Sequence, residues 1–310
     1  MREHTTQRAS RPTLYQEVTD KIIVELEAGR VPWVQPWGRA KCAAGLPRNG
    51  ATGRRYSGIN ILILWGSVIE KGYPRQTWLT FRQALALGGA VRKGEHGTTI
   101  CYADRFIPRK EQERAAETGD TPAAIPFLKR FTVFNVEQCD GLPDTVLGTA
   151  EPLPERQAIP RAEALIAATG ADFRIAGERA YYDVAGDFIR VPPQPAFFEQ
   201  INYYRTCFHE LGHWTGHAAR CARDLSGAHG SKAYAREELV AEMGSAFLCA
   251  ALGIVPTVRH ADYIGSWLAV LREDNRAIFR AASLASKAAD FVLAFEAAVR
   301  TAAMPAGAAA

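Results

Sequence analysis

The chain has 310 residues, enough for two domains with a core each, and its 47% apolar and 23% charged residues exclude a disordered or coiled-coil protein. Its net charge of +4 hides an asymmetry: residues 30–110 hold 14 Lys/Arg against 3 Asp/Glu, together with four of the six tryptophans. The longest apolar run, Ile59 to Gly66, is interrupted by Asn60 and too short for a bilayer, so no membrane partner is expected.

Thr13 to Ala28 repeats apolar residues at Leu14, Val18, Ile22 and Leu26, which predicts an amphipathic helix ending at Gly29. A second, mostly buried helix is expected over 60–71, stopped by Gly72. Thr80 and Gln83 have capping-box spacing and open a short helix that Gly88-Gly89 closes. Residues 91–100 read as strand, glycine turn and strand, and 127–136 as another strand. Arg109 to Thr121, charged and poor in apolar residues, reads as a solvent-facing hairpin or loop. Four prolines between Leu142 and Pro160 mark a linker. Beyond it come a helix over 161–169, short strands near 173–175, 180–184 and 188–191, then helices over 197–217, 232–252 and 261–300.

The fold class that follows is α+β in two domains: residues 1–141, a proline-rich linker 142–160, a second domain 161–300 with a small antiparallel sheet, and a disordered tail 301–310. An N-terminus without an apolar segment is not a secretory signal. Six cysteines without a Cys-x-x-Cys pair suit reduced thiols in the cytoplasm.

His209-Glu210-Leu211-Gly212-His213 puts two imidazoles one helical turn apart, able to reach one cation, with Glu210 placed beside it to move a proton. Ile201, Tyr204, Phe208 and Leu211 supply an apolar stripe that would seat this helix on a core. The extended motif with a third histidine is excluded, because position 219 is alanine. Glu238 and Glu242 share a face of the next helix. Glu238 is the favoured third metal ligand and Glu242 the group orienting a ligand histidine; His229 and His217 are the alternative ligands. The donor set suits Zn2+, with another divalent ion such as Mn2+ equally admissible.

In the first domain Trp33, Trp37, Arg39, Lys41, Arg54, Arg55, Tyr56, Trp78, Arg82, Arg92 and Lys93 mix cations with flat rings, the combination that binds single-stranded DNA with little sequence preference. Trp65, inside an apolar run, is assigned to the core.

Taken together, several segments resemble the ArdC-type plasmid antirestriction proteins. In the first domain these are Gly29-Arg30-Val31-Pro32-Trp33, Pro36-Trp37-Gly38, Tyr56-Ser57-Gly58-Ile59-Asn60, Trp78-Leu79-Thr80-Phe81 and Thr132-Val133-Phe134-Asn135-Val136. In the second they are His209 to His217 and Tyr234 to Glu242. The resemblance runs from about residue 12 to 255. It implies an N-terminal single-stranded-DNA-binding domain and a C-terminal zincin-like metallopeptidase domain with its HExxH motif on a helix. It also implies protection of incoming plasmid DNA from host restriction, with a DNA-bound host protein as a candidate peptidase substrate.

Overall fold

The computed structural model describes residues 12–33, 45–147, 155–197, 199–255 and 263–302. The N-terminal half carries α1 (Leu14–Glu27), β1 (Arg48–Asn49), α2 (Ile59–Lys71), β2 (Thr77–Leu79), α3 (Phe81–Ala86), β3 (Ala90–Val91), β4 (Thr98–Phe106), α4 (Arg109–Thr118), β5 (Ile125–Asn135), β6 (Cys139–Asp140) and α5 (Asp144–Leu147). The C-terminal half follows with α6 (Glu155–Ala168), β7 (Asp172–Ile175), β8 (Tyr181–Asp183), β9 (Phe188–Val191), α7 (Gln200–Thr215), α8 (Lys232–Ala251), α9 (Ile264–Glu273) and α10 (Ala277–Ala302). The α+β class is as expected. No described helix is long and apolar enough to cross a membrane, and Cys101, Cys139, Cys207, Cys221 and Cys249 are free thiols.

Local signals set most boundaries. Thr13 caps α1 by accepting from the Gln16 amide, and Gly72 ends α2 in the left-handed conformation that glycine enters without strain. The capping box at Thr80 and Gln83 is formed as the spacing requires. Four strands make one sheet in the order β1-β2-β5-β4, with β4 and β5 antiparallel over nine residue pairs. β3 does not pair with β4 as a hairpin; it pairs with β6.

Four expectations need correction. Residues 109–118 are helix, not hairpin or loop: Pro108 starts the helix, the left-handed Gly119 ends it, and Arg109–Glu113 and Glu111–Arg114 pairs line its exposed surface. The expected linker is partly helical, since α6 begins at Glu155 and runs through Pro160, while residues 148–154 lie outside the described residues. The C-terminal sheet is mixed rather than antiparallel: the Ala185-Gly186-Asp187 turn pairs β8 with β9 as a hairpin, but β7 joins the other edge of β9 in parallel. Of the expected tail, 301–302 extend α10 and 303–310 lie outside the described residues.

The main core is continuous through both halves. Trp65 of α2 meets Phe247 of α8 edge-on at 5.7 Å, and Trp33 meets Trp267 of α9 at 5.3 Å. Thr19 donates to the Asn275 carbonyl at 2.7 Å, the Gly58 amide donates to Ser286 of α10 at 2.8 Å, and Arg161 forks onto Glu296.

Candidate metal centre

The site is built between two helices that approach closely. α7 carries the His209-to-His213 turn, and α8 supplies the acids. Gly212 makes the approach possible: a Cβ there would stand 3.0 Å from the Ala241 backbone of α8. Ser245 fixes the register by donating to the Arg205 carbonyl at 2.8 Å. With the helices so placed, Glu237, Glu238 and Glu242 all face α7.

Glu238 sits between the two histidines. Its carboxylate oxygens lie 3.5 Å from His209 Nε2 and 3.4 Å from His213 Nε2, and the two Nε2 atoms are 3.2 Å apart. Tetrahedral ligands at roughly 2.0–2.1 Å from zinc stand about 3.3 Å from one another, so these separations fit a single zinc-sized ion. Among the described residues, His209, His213 and Glu238 are the group of donors close enough to share one. Glu210 lies in the same turn of α7 and is buried, as are His209 and Glu238.

Each histidine is backed by a second acid, and each acid by an arginine. His209 Nδ1 faces Glu242 at 3.2 Å, and Glu242 takes the fully buried Arg205 guanidinium at 2.5 Å. His213 Nδ1 faces Glu237 at 3.3 Å, which Arg223 grips with two hydrogen bonds of 2.6 and 3.0 Å. Arg223 is held in turn by Thr215 Oγ1 and the Gly212 carbonyl. Carboxylates on the far ring nitrogens fix ring orientation and leave both Nε2 atoms turned to the centre. Burial works against charge here. The hydrogen bonds outweigh it, holding His213 up at about 9 and Glu238 well below the carboxylate range. Tyr234 closes one side: its hydroxyl contacts Glu238 and pairs with the Tyr263 hydroxyl at 3.4 Å, and burial first, then these neighbours, push its pKa up.

The structure therefore brings together His209, His213, Glu238 and Glu242, the set named from spacing, beside Glu210. Glu237, Arg205, Arg223 and Tyr234 were not anticipated. Arg205 could have been: it precedes His209 by four residues and so shares its helix face. Arg223 comes from an irregular segment, where spacing carries no information.

The expected DNA-binding residues divide three ways. Trp33 and Trp78 must be withdrawn as base-stacking residues, because both are buried: Trp33 packs on Trp267, and Trp78 lies in β2 against Tyr73 at 6.0 Å. Trp37, Arg39 and Lys41 lie outside the described residues. Arg54, Arg55, Arg82, Arg92 and Lys93 are exposed and Tyr56 half-buried. Asn49 ties the turn carrying Arg54 to α3 through Gln83 at 3.0 Å, setting Arg54 and Arg82 on neighbouring segments. Arg92 is already committed to Glu95, Asp140 and the Glu137 carbonyl.

Comparison with known proteins places this geometry in a family. Residues 12–134 match the N-terminal domain of anti-restriction factor ArdC, and residues 160–284 match the zincin-like metallopeptidases. The crystal structure of metal-free ArdC from plasmid R388 superposes with a TM-score of 0.77 at 43% identity, covering 93% of this chain and 99% of that one. The Mn(II)-bound ArdC structure gives 0.75 at 42%, covering 92% and 99%. Protein y4eC of Sinorhizobium fredii is 40% identical over 295 residues, 93% of this chain and 94% of its own. DNA primase TraC of Escherichia coli is 41% identical over 302 residues, 91% of this chain, but the chain spans only 27% of TraC's length. With both halves matched and near-complete coverage of a solved relative, the chain belongs to the ArdC antirestriction family.

Proposed function

We propose that the chain is an antirestriction protein that binds single-stranded DNA and carries a metal-dependent peptidase-type site, protecting unmodified plasmid DNA as it enters a restricting host. The observation that carries this reading is the convergence of His209, His213 and Glu238 beside Glu210 in a zincin-like half joined to an ArdC-type N-terminal half. His209, His213 and Glu238 would hold the ion, zinc by the zincin assignment or manganese by analogy with the relative. A bound divalent ion supplies Lewis acidity. Glu242 and Glu237 orient the two imidazoles, and Glu210 exchanges a proton between a water and a leaving amine. A DNA-bound host protein is the substrate this arrangement suits, since the N-terminal half concentrates the site on DNA.

A second reading keeps the DNA binding and makes the metal site a structural or docking module. One observation favours it: His209, Glu210 and Glu238 are all buried, which a structural ion tolerates more readily than a site that admits a polypeptide. Survival of unmodified plasmid in a restricting host, compared between wild type and Glu210→Gln at matched protein levels, separates the two. Lost protection with retained metal and DNA binding supports the peptidase. Full protection assigns the role to DNA binding alone.

A further inference from the structure

The β4–β5 ribbon extends past the rest of its sheet. β2 pairs only with Phe134 and Asn135 at its base, and β4 is the sheet's edge strand. Residues opposite one another in an antiparallel pair share a face. Cys101, Ala103 and Arg105 therefore lie on one face with Arg130 and Leu128, while Ile100, Tyr102, Asp104 and Phe106 share the other with Phe131, Lys129, Phe127 and Ile125. The first face turns to the body of the protein: Cys101 is buried, Leu128 packs on the main core, and Arg130 is forked by Glu17 of α1.

Beyond Ile100, which is buried in the main core, the second face turns outward. Tyr102 and Phe106 are each 48% exposed, Ile125 47% and Phe131 44%. Their rings form one row through Phe127: Phe131 to Tyr102 is 5.7 Å, Tyr102 to Phe127 is 6.5 Å, and Phe127 to Phe106 is 5.8 Å. A contiguous exposed aromatic row of this kind marks a binding surface rather than ordinary scatter of apolar residues.

The charges on the face select its occupant. A protein partner favours a patch whose centre is depleted of charge; here Lys129 stands among the rings, with its ammonium 4.8 Å above Phe127. Lys110, and Arg105 from the opposite face, are exposed at the far end of the ribbon. The one acid on the face, Asp104, is occupied by the Tyr102 hydroxyl and the Arg105 amide. Steps near 6 Å exceed the ~3.4 Å rise between bases of a duplex strand, so successive rings suit the separated bases of a stretched single strand.

We propose that this outward face, formed by Phe131, Tyr102, Phe127 and Phe106 with Lys129, is the platform on which single-stranded DNA stacks. The proposal rests on the DNA-binding reading above and supplies the rings that Trp33 and Trp78, buried in the core, do not.

The test is fluorescence anisotropy of the full chain with labelled oligo(dT) of roughly 20 nucleotides, longer than the span of one single-strand-binding fold. Phe106→Ala/Phe131→Ala is expected to weaken binding by about thirtyfold or more, at one stacked base per ring. Lys129→Gln should lower the salt slope of log affinity by about one. Both phenylalanines are about half exposed, so truncation opens no buried cavity, and a thermal melt checks the fold. If wild type binds and both variants bind with unchanged affinity and slope, the platform is overturned while the DNA-binding reading stands. If wild type does not bind, that reading fails and the platform with it. If the double variant converts a dimer to a monomer by light scattering with affinity unchanged, the face is a contact between copies and the proposal is overturned.

Discussion

At the scale of single residues, the metal centre is a set of buried charges whose neutrality depends on each member. Arg205 and Glu242 are both almost wholly buried, so removing one leaves the other uncompensated in a low-dielectric interior, at a cost of about 3–5 kcal/mol. Arg205→Leu is therefore expected to lower stability by that amount in a denaturant titration; a loss below about 1 kcal/mol would mean Glu242 is held by other groups. Glu237→Gln differs in kind, because the amide can still accept from His213 but no longer neutralises Arg223. It is expected to weaken metal binding by about 10–100-fold, the usual cost of losing a ligand's backing group, as read by competition with a chromophoric chelator. The sequence showed the three candidate donors because His209, His213 and Glu238 obey helix spacing. It also showed Glu242, but it hid Glu237, which is adjacent to Glu238, because only the helix–helix geometry shows that the two acids serve different nitrogens.

At the scale of elements, that geometry turns on the α7–α8 contact. Gly212→Ala would bring a methyl group to 3.0 Å from Ala241 Cα and 3.3 Å from its Cβ, and since the nearest atoms belong to backbone, the helices must shift. Overpacking of this kind costs about 1–3 kcal/mol, and any shift also moves Glu238 from the histidines. Gly212→Ala is thus expected to lower stability and metal affinity together; a stable variant with unchanged affinity would show that the helices accommodate the methyl group. A second clamp joins the β8–β9 turn to the segment after α7: Arg220 binds Asp187 and the Tyr182 hydroxyl, and lies 4.0 Å over the Trp214 ring. The Arg220 hydrogen bond holds Asp187 at about 2, below its usual 3.8. A depressed carboxylate stabilises the fold above its unfolded pKa, and that contribution fades as pH falls from about 4 to 2. Asp187→Asn should accordingly flatten the acid limb of a stability-versus-pH curve in that window. Helices with caps, such as α1, α2 and α3, were legible in the sequence, as was β5. α4 was not, because its helical character comes from charge pairs rather than an apolar stripe. The break between α9 and α10 was also missed, since the chain there is fixed by distant residues: Gln16 and Thr19 of α1 both bind Asn275.

At the scale of the whole molecule, the two matched family segments share one main core, beside a smaller cluster around Leu79, Ala84 and Val136. Val18, Ile22, Leu26, Trp33 and Trp65 from the N-terminal half belong to the same buried cluster as Phe208, Leu211, Phe247 and Trp267. A row of rings even leads from Trp33 through Trp267 and Tyr263 to Tyr234, which contacts Glu238. Charge and composition divide the sequence into a basic half and a metal-binding half, but they cannot show that the halves share an interior, because each apolar residue reads the same whichever partner covers it. Shared burial makes unfolding cooperative across both halves. Metal that binds only the folded state then stabilises both, by about 2.7 kcal/mol at a hundredfold excess over the dissociation constant. Thermal unfolding followed separately at the tryptophans and by far-ultraviolet circular dichroism should give one coincident transition that moves upward as a whole on adding zinc. Two transitions, with only one responding to zinc, would show that the common interior does not couple the halves.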